Sequence, residues 1–85
     1  MRHQIEIKSS ALKELQALPV PIRDRISRHI DELSVQPRPN GSQKLSGTAH
    51  AYRIRVGMYR IVYEIQDQRL VVMIIRIAHR REVYR

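Results

Sequence analysis

The sequence predicts an α+β fold of order β-α-α-β-β-β. A small, mostly antiparallel sheet carries a two-helix hairpin packed on one face. Three observations predict it. Apolar residues recur at helical spacing between positions 11 and 33. Apolar and basic residues alternate across 51–65, "AYRIRVGMYRIVYEI", with a lone glycine in the middle. The nearly continuous apolar run 70–78, "LVVMIIRIA", reads as a central strand covered on both faces.

The elements follow in order. "HQIEIK" (3–8) alternates, with Ile5 and Ile7 on one face of a strand. Ser9 or Ser10 is placed to cap the helix "ALKELQAL" (11–18), whose Leu12, Leu15 and Leu18 share a side. Pro19 ends that helix, and Pro21 suits the first turn of the next. In "IRDRISRHIDELS" the apolar positions Ile22, Ile26, Ile30 and Leu33 form one stripe under a charged outer face. "QPRPNG" (36–41) is a loop, and 42–49 has no clear period beyond a candidate core anchor at Leu45. Three strands follow, at about 50–56, 58–65 and 70–78, and then a short tail, 81–85.

A tight turn at Gly57-Met58 fixes the register of the first hairpin. Val56 then opposes Tyr59, Arg55 opposes Arg60, Ile54 opposes Ile61, Arg53 opposes Val62 and Tyr52 opposes Tyr63. Tyr52, Ile54, Val56, Tyr59, Ile61 and Tyr63 share the helix-covered face, and Arg53, Arg55, Arg60 and Glu64 share the other. Like charges across a strand pair are destabilising. Arg55 opposite Arg60 therefore reads either as a site for an anion or as a cluster neutralised by Glu64, by an acid from elsewhere, or by water. A tight turn at Asp67-Gln68 would pair Ile65 with Leu70 and put Met73, Ile75, Ile77 and His79 on the face of Arg60. His3 and His29 are expected on exposed elements with no role, and His50 is a weak candidate beside the arginine strand.

Composition narrows the chemistry. The 85 residues are expected to form one domain, 1–85. A chain of this size buries only about 60–65% of its unfolded surface, which leaves no room for a deep cofactor pocket. There is no cysteine, so disulfide scaffolds, thiolate zinc sites and cysteine nucleophiles are excluded. "MRHQIEIKSS" is no signal peptide, and the longest apolar run, 70–75, is too short to span a bilayer; a soluble, cytoplasmic protein is expected. Sixteen Lys and Arg against eight Asp and Glu leave a net charge of +8, which predicts an anionic partner. Residues 49–85 hold eight basic residues, all arginine, and three acids. Arginine favours bidentate phosphate contacts. No acidic cluster has metal-binding spacing, and no glycine-rich phosphate loop or nucleophile elbow occurs. Metal-free phosphodiester chemistry on RNA, with the 2′-OH as nucleophile, remains available.

The sequence resembles the RelE family of toxins from prokaryotic type II toxin–antitoxin pairs, within the RelE/ParE superfamily. The resemblance covers "ALKELQAL", "KLSG" (44–47), "YRIRVGMYRIVYEI" (52–65), "VVMIIRIAHRREVY" (71–84) and the element order. It implies a compact toxin that enters the ribosomal A site, cleaves mRNA and is held by a cognate antitoxin, with no cofactor, metal or membrane. Arg53 and Arg55 match two basic positions of the family that are often lysine. Arg60 matches the arginine of its "YR-[IL]-VY" motif, Arg80 the arginine near the end of the last strand, and Tyr84 the tyrosine of the tail. His79 stands where lysine is common and resembles the late histidine of YoeB-type toxins. The glutamate those toxins use before the hairpin has no counterpart, since no acid lies between Glu32 and Glu64. Arg53, Arg55, Arg60, Arg81 and Lys44 are the expected RNA contacts. Arginine stays protonated, so proton transfer falls to His79 or Tyr84. Two other functions fit the same fold: a ParE-like inhibitor of DNA gyrase and a noncatalytic RNA- or ribosome-binding module.

Overall fold

The computed structural model describes residues 2–79. Its elements are β1 (Gln4–Ile7), α1 (Ser9–Gln16), α2 (Val20–Leu33), β2 (Gln43–Lys44), β3 (Ala51–Val56), β4 (Tyr59–Gln66) and β5 (Val71–His79). The five strands form one sheet in the order β1-β5-β4-β3-β2. Every pairing is antiparallel except β1 with β5, which is parallel. The expected fold class is therefore the observed one, with β2 as an additional two-residue strand. Two residues are too few to show a period.

Both helices lie on one face. Ala11 and Leu15 of α1 and Ile26, Ile30 and Leu33 of α2 are buried against Ile54, Val56, Ile61, Tyr63, Ile65, Val72, Ile74 and Ile77. This is the helical stripe of the sequence meeting the apolar face of the strands. Leu12 departs from it and is exposed, because α1 turns Ala11 and Leu15, four apart, to the core instead. The helix also begins earlier than the expected serine cap. Lys8 is the N-cap residue, Ser9 and Ser10 lie inside the helix, and no side chain caps it. The chain passes straight from β1 into α1, with the Leu12 N–H donating to the Lys8 carbonyl at 2.9 Å. Pro19 caps α2, and Pro21 sits in its first turn, where a missing N–H costs nothing.

The first hairpin has the expected register throughout, from Val56–Tyr59 to Tyr52–Tyr63. Gly57, at φ +59°, supplies the left-handed turn residue. The second hairpin differs. Its turn has four residues, Asp67 to Leu70, so Ile65 pairs with Val72 rather than with Leu70. Leu70 takes a positive φ of 53° to close it. A register shift between Val62 and Tyr63 then makes Ile75 an extra residue of β5. Before this bulge Met73 opposes Glu64, so it lies on the arginine face as expected. Beyond it the faces exchange: Ile77 pairs with Ile61, and His79 pairs with Tyr59. Ile77 and His79 therefore lie on the helix-covered face, not on the face of Arg60.

Edge strands need protection. β1 covers β5 only from Val71 to Ile74. Beyond that, Glu14 of α1 takes over: its Oε1 accepts the Ile77 backbone N–H at 2.9 Å, while Oε2 lies 3.5 Å from Arg76 Nε.

Candidate functional site

The arginine face is built by strand alternation. Arg53 and Arg55 point away from the core because Ile54 and Val56 point into it. Arg60 opposes Arg55 on one side and Ala78 on the other. The small alanine leaves room beside a large guanidinium, and Arg60 is only 2% exposed. It is the one buried charged side chain among the described residues. The expected open face is thus closed over Arg60, while Arg55 remains exposed. A positive charge in low dielectric acts more strongly on a nearby anion than one in water. Arg53 is half-buried and its Nη2 donates to Gln43 Oε1, the residue opposite it on β2. Arg53, Arg60 and His79 all hold further contacts. Glu64 shares the arginine face, yet it makes no ion pair with these arginines among the described residues.

A groove of about 620 Å³ opens at the margin of this face. Its walls are the last turns of α2, with His29, Glu32 and Leu33, the segment 39–43, and residues 53–55 of β3. A second hollow of about 250 Å³ lies between α1 and the ends of β4 and β5, beside Glu14, Tyr59 and His79. There the rings of Tyr59 and His79 meet edge to face, with centroids 5.3 Å apart. Among the described residues no group of three His, Cys, Asp or Glu side chains is placed to hold a metal ion, and no helix is long and apolar enough to cross a membrane.

The architecture has counterparts in known proteins. The model of the ParE toxin of the type II toxin–antitoxin system parDE matches residues 5–84. The mRNA interferase toxin RelE of Escherichia coli K12 is 31% identical over 88 residues, covering 99% of this chain and 92% of that protein. The chain belongs to the RelE/ParE family of type II toxins. Toxin RelG of Mycobacterium tuberculosis is 29% identical over 86 residues, covering 100% of this chain and 99% of its own. Among solved structures, the RelE chain of the archaeal RelE–RelB complex from Pyrococcus horikoshii superposes with a TM-score of 0.84 at 30% identity, over 94% of this chain and 97% of that one. A mutant of E. coli RelE in the free state gives 0.83 at 30% identity, over 99% and 92%.

In this RelE/ParE toxin the structure sorts the expected site residues into groups. Arg53, Arg55 and Arg60 come together on one face. His79 lies across the sheet from them, through the bulge in β5. Lys44 opposes Tyr52, so it belongs to the face away from the arginines. Arg80, Arg81 and Tyr84 lie outside the described residues.

Two histidines expected on exposed elements are placed otherwise. His29 is half-buried in the wall of the groove. His3, with only 11% of its side chain exposed, lies 3.3 Å from Asp67 Oδ1 through Nε2. Asp67 also takes Arg38 Nη2 at 2.8 Å, and Arg38 Nε donates to the Tyr52 hydroxyl at 3.2 Å. The Arg38 guanidinium, and secondarily His3, hold the Asp67 carboxyl below the usual range. Tyr63, stacked on Tyr52, donates its hydroxyl to the Pro37 carbonyl at 2.8 Å, and burial pushes that hydroxyl up to about 12. This clasp ties the 36–41 loop to the turn between β4 and β5. Nothing in the spacing of His3, Arg38 and Asp67 announces it, because three separate segments must meet to form it.

Proposed function

We propose that this protein is the toxin of a type II toxin–antitoxin pair and cleaves mRNA on the ribosome without a metal ion. The observation that carries the reading is the Arg55–Arg60 pair: two like charges directly opposed on a strand pair, one of them buried and the other exposed. Such an arrangement is stabilised by an incoming phosphate. The naming of the E. coli relative as an mRNA interferase supports RNA as the source of that phosphate.

In this scheme the RNA 2′-OH attacks the adjacent phosphorus. The P–O5′ bond breaks, leaving a 2′,3′-cyclic phosphate and a 5′-OH. One proton leaves the 2′-OH, and one reaches the departing O5′. Arg53 and Arg55 hold the phosphate oxygens, and Arg60 stabilises the charge that builds up on them. None of the three is a base. With His79 across the sheet, Tyr84 is the acid–base candidate that the resemblance supplies, and Arg80 is a further phosphate contact that it implies. The relatives crystallised with RelB support a cognate antitoxin as partner. A +8 surface calls for a segment carrying acids and apolar anchors.

Primer extension on mRNA, with and without translating ribosomes and with EDTA present, tests the reading. Codon-positioned cuts with 5′-OH ends, dependent on ribosomes and unaffected by EDTA, are expected. Intact mRNA together with trapped gyrase–DNA complexes would establish the gyrase-inhibitor alternative instead.

A further inference from the structure

The groove beside the arginines has its own chemistry. Just before β3, the His50 carbonyl accepts the Ile65 N–H at 2.9 Å, on the β4 side, while in β3 the Ala51 carbonyl accepts the Leu45 N–H at 2.9 Å, on the β2 side. Antiparallel strands alternate in this way, so odd-numbered residues of β3 bond away from β4. β2 ends its pairing at Gln43 opposite Arg53. Arg55, the next odd residue, therefore turns its backbone N–H and C=O to an edge on which no strand lies among the described residues, in the wall of the groove. A donor and an acceptor side by side match the edge of a nucleobase.

Glu32 faces the same space from α2. Its carboxylate makes no hydrogen bond or ion pair among the described residues, although two arginines line the same groove. The side chains of His29 and Arg55 are likewise without such a bond. The volume of about 620 Å³ falls in the roughly 300–1,000 Å³ range of pockets that take small organic ligands. An extended peptide fits less well. The chain entering β2 folds back there, with the Ser42 N–H donating to the Pro39 carbonyl at 3.0 Å, and blocks the path of a longer pairing strand.

We propose that this groove is a nucleotide subsite, which holds the RNA residue next to the scissile phosphate and selects a base carrying an exocyclic amino group over uracil. The inference rests on the RNA-cleaving reading above. Arg53 and Arg55 keep the phosphate at the mouth of the groove. Glu32, an acceptor only, takes the amino group of adenine, cytosine or guanine, and the Arg55 backbone takes the adjoining ring positions. Uracil has no amino group; its one ring donor on that edge, N3–H, is flanked by two carbonyl oxygens that face the carboxylate unfavourably. Glu32 is a positioning and specificity residue here, not a catalytic one.

Sequencing of cut ends from a translated mRNA library, for wild type and Glu32→Gln, tests this. Wild type is expected to deplete uracil at one fixed position from the cut, by fivefold or more. Glu32→Gln, whose amide also donates, is expected to reduce that depletion to twofold or less, with a larger change in KM than in kcat. The same uracil frequency in both enzymes overturns the subsite while leaving cleavage itself intact. Absence of any cut in wild type overturns the cleavage reading. In that event, titration of ¹⁵N-labelled protein with adenosine and uridine 5′-monophosphates decides the subsite separately. Amide shifts at Glu32, Asn40 and Arg55 that are larger for the adenine nucleotide and equalised in Glu32→Gln support it, and equal or absent shifts reject it. Glu32 is exposed and its side chain bonds to nothing among the described residues, so its glutamine variant is expected to melt like wild type.

Discussion

The two ends of β3 treat arginine in opposite ways. Near Tyr52, Arg38 is matched on every side: Asp67 takes two of its nitrogens, the Tyr52 hydroxyl a third, and its guanidinium carbon lies 5.3 Å from the Tyr52 ring centroid. Near Val56, Arg55 faces Arg60, a like charge, directly across the strand pair. The first arrangement satisfies its charges internally and gains nothing from a ligand. The second sets two like charges against each other, an arrangement that an incoming anion would relieve. A basic residue in this protein is read for function by the charges set against it, not by its own charge alone.

Breaking the Arg55–Arg60 end is expected to cost the most activity. Arg60→Ala should lower ribosome-dependent cleavage by about 10²–10³-fold, the loss typical of removing one charge-stabilising donor, measured in single-turnover assays on protein shown by circular dichroism to be folded. Arg60→Lys should recover only part of it, because a point charge does not reproduce a planar fork. Wild-type rates in both variants would remove Arg60 from the site. Arg55→Ala, an exposed position, should weaken ribosome binding and flatten its dependence on log salt by about one unit of slope, with an unchanged melting curve. An unchanged slope would mean that Arg55 holds no phosphate.

The satisfied end should register in stability instead. Tyr63→Phe removes a buried hydrogen bond to Pro37 and should cost about 1 kcal/mol in denaturant melts, with cleavage retained. The raised Tyr63 hydroxyl also sets a sign. Unfolded tyrosine ionises near 10, below the folded value of about 12, so this group's contribution falls as pH rises from about 10 to 12. That part of the alkaline loss should be missing in the phenylalanine variant. Asp67→Asn is the mildest change, since Asp67 is exposed. Its folded carboxyl is held below the usual range, so its contribution is present above that range and fades as pH falls through the depressed value. The asparagine variant should melt slightly lower at neutral pH and lose that acid dependence.

The arginine face was legible in the sequence because a two-residue turn at Gly57-Met58 leaves one register, and period-two alternation then places Arg53, Arg55 and Arg60 without further information. His79 was not. Its face depends on the length of the turn after Gln66 and on one extra residue near Ile75, and an apolar run such as "LVVMIIRIA" does not reveal a bulge. Glu32 and His29 stand three apart and share a helix face. Their place beside β3 depends on how the segment 39–43 folds back, and its composition of Pro, Asn, Gly, Ser and Gln signals only a loop. The clasp of His3, Arg38 and Asp67 was hidden for the same reason: long-range meetings of single polar residues leave no local pattern.

The parallel pairing of β1 with β5 bears on how the chain is born. Gln4 waits beside the place of Val71 until nearly all of the described chain has been made, and β5 separates β1 from the rest of the sheet. A nascent chain lacking β5 has neither Ala78 beside Arg60 nor Ile74 and Ile77 beneath the helices. The buried setting of Arg60 therefore forms only once β5 has joined the hairpin.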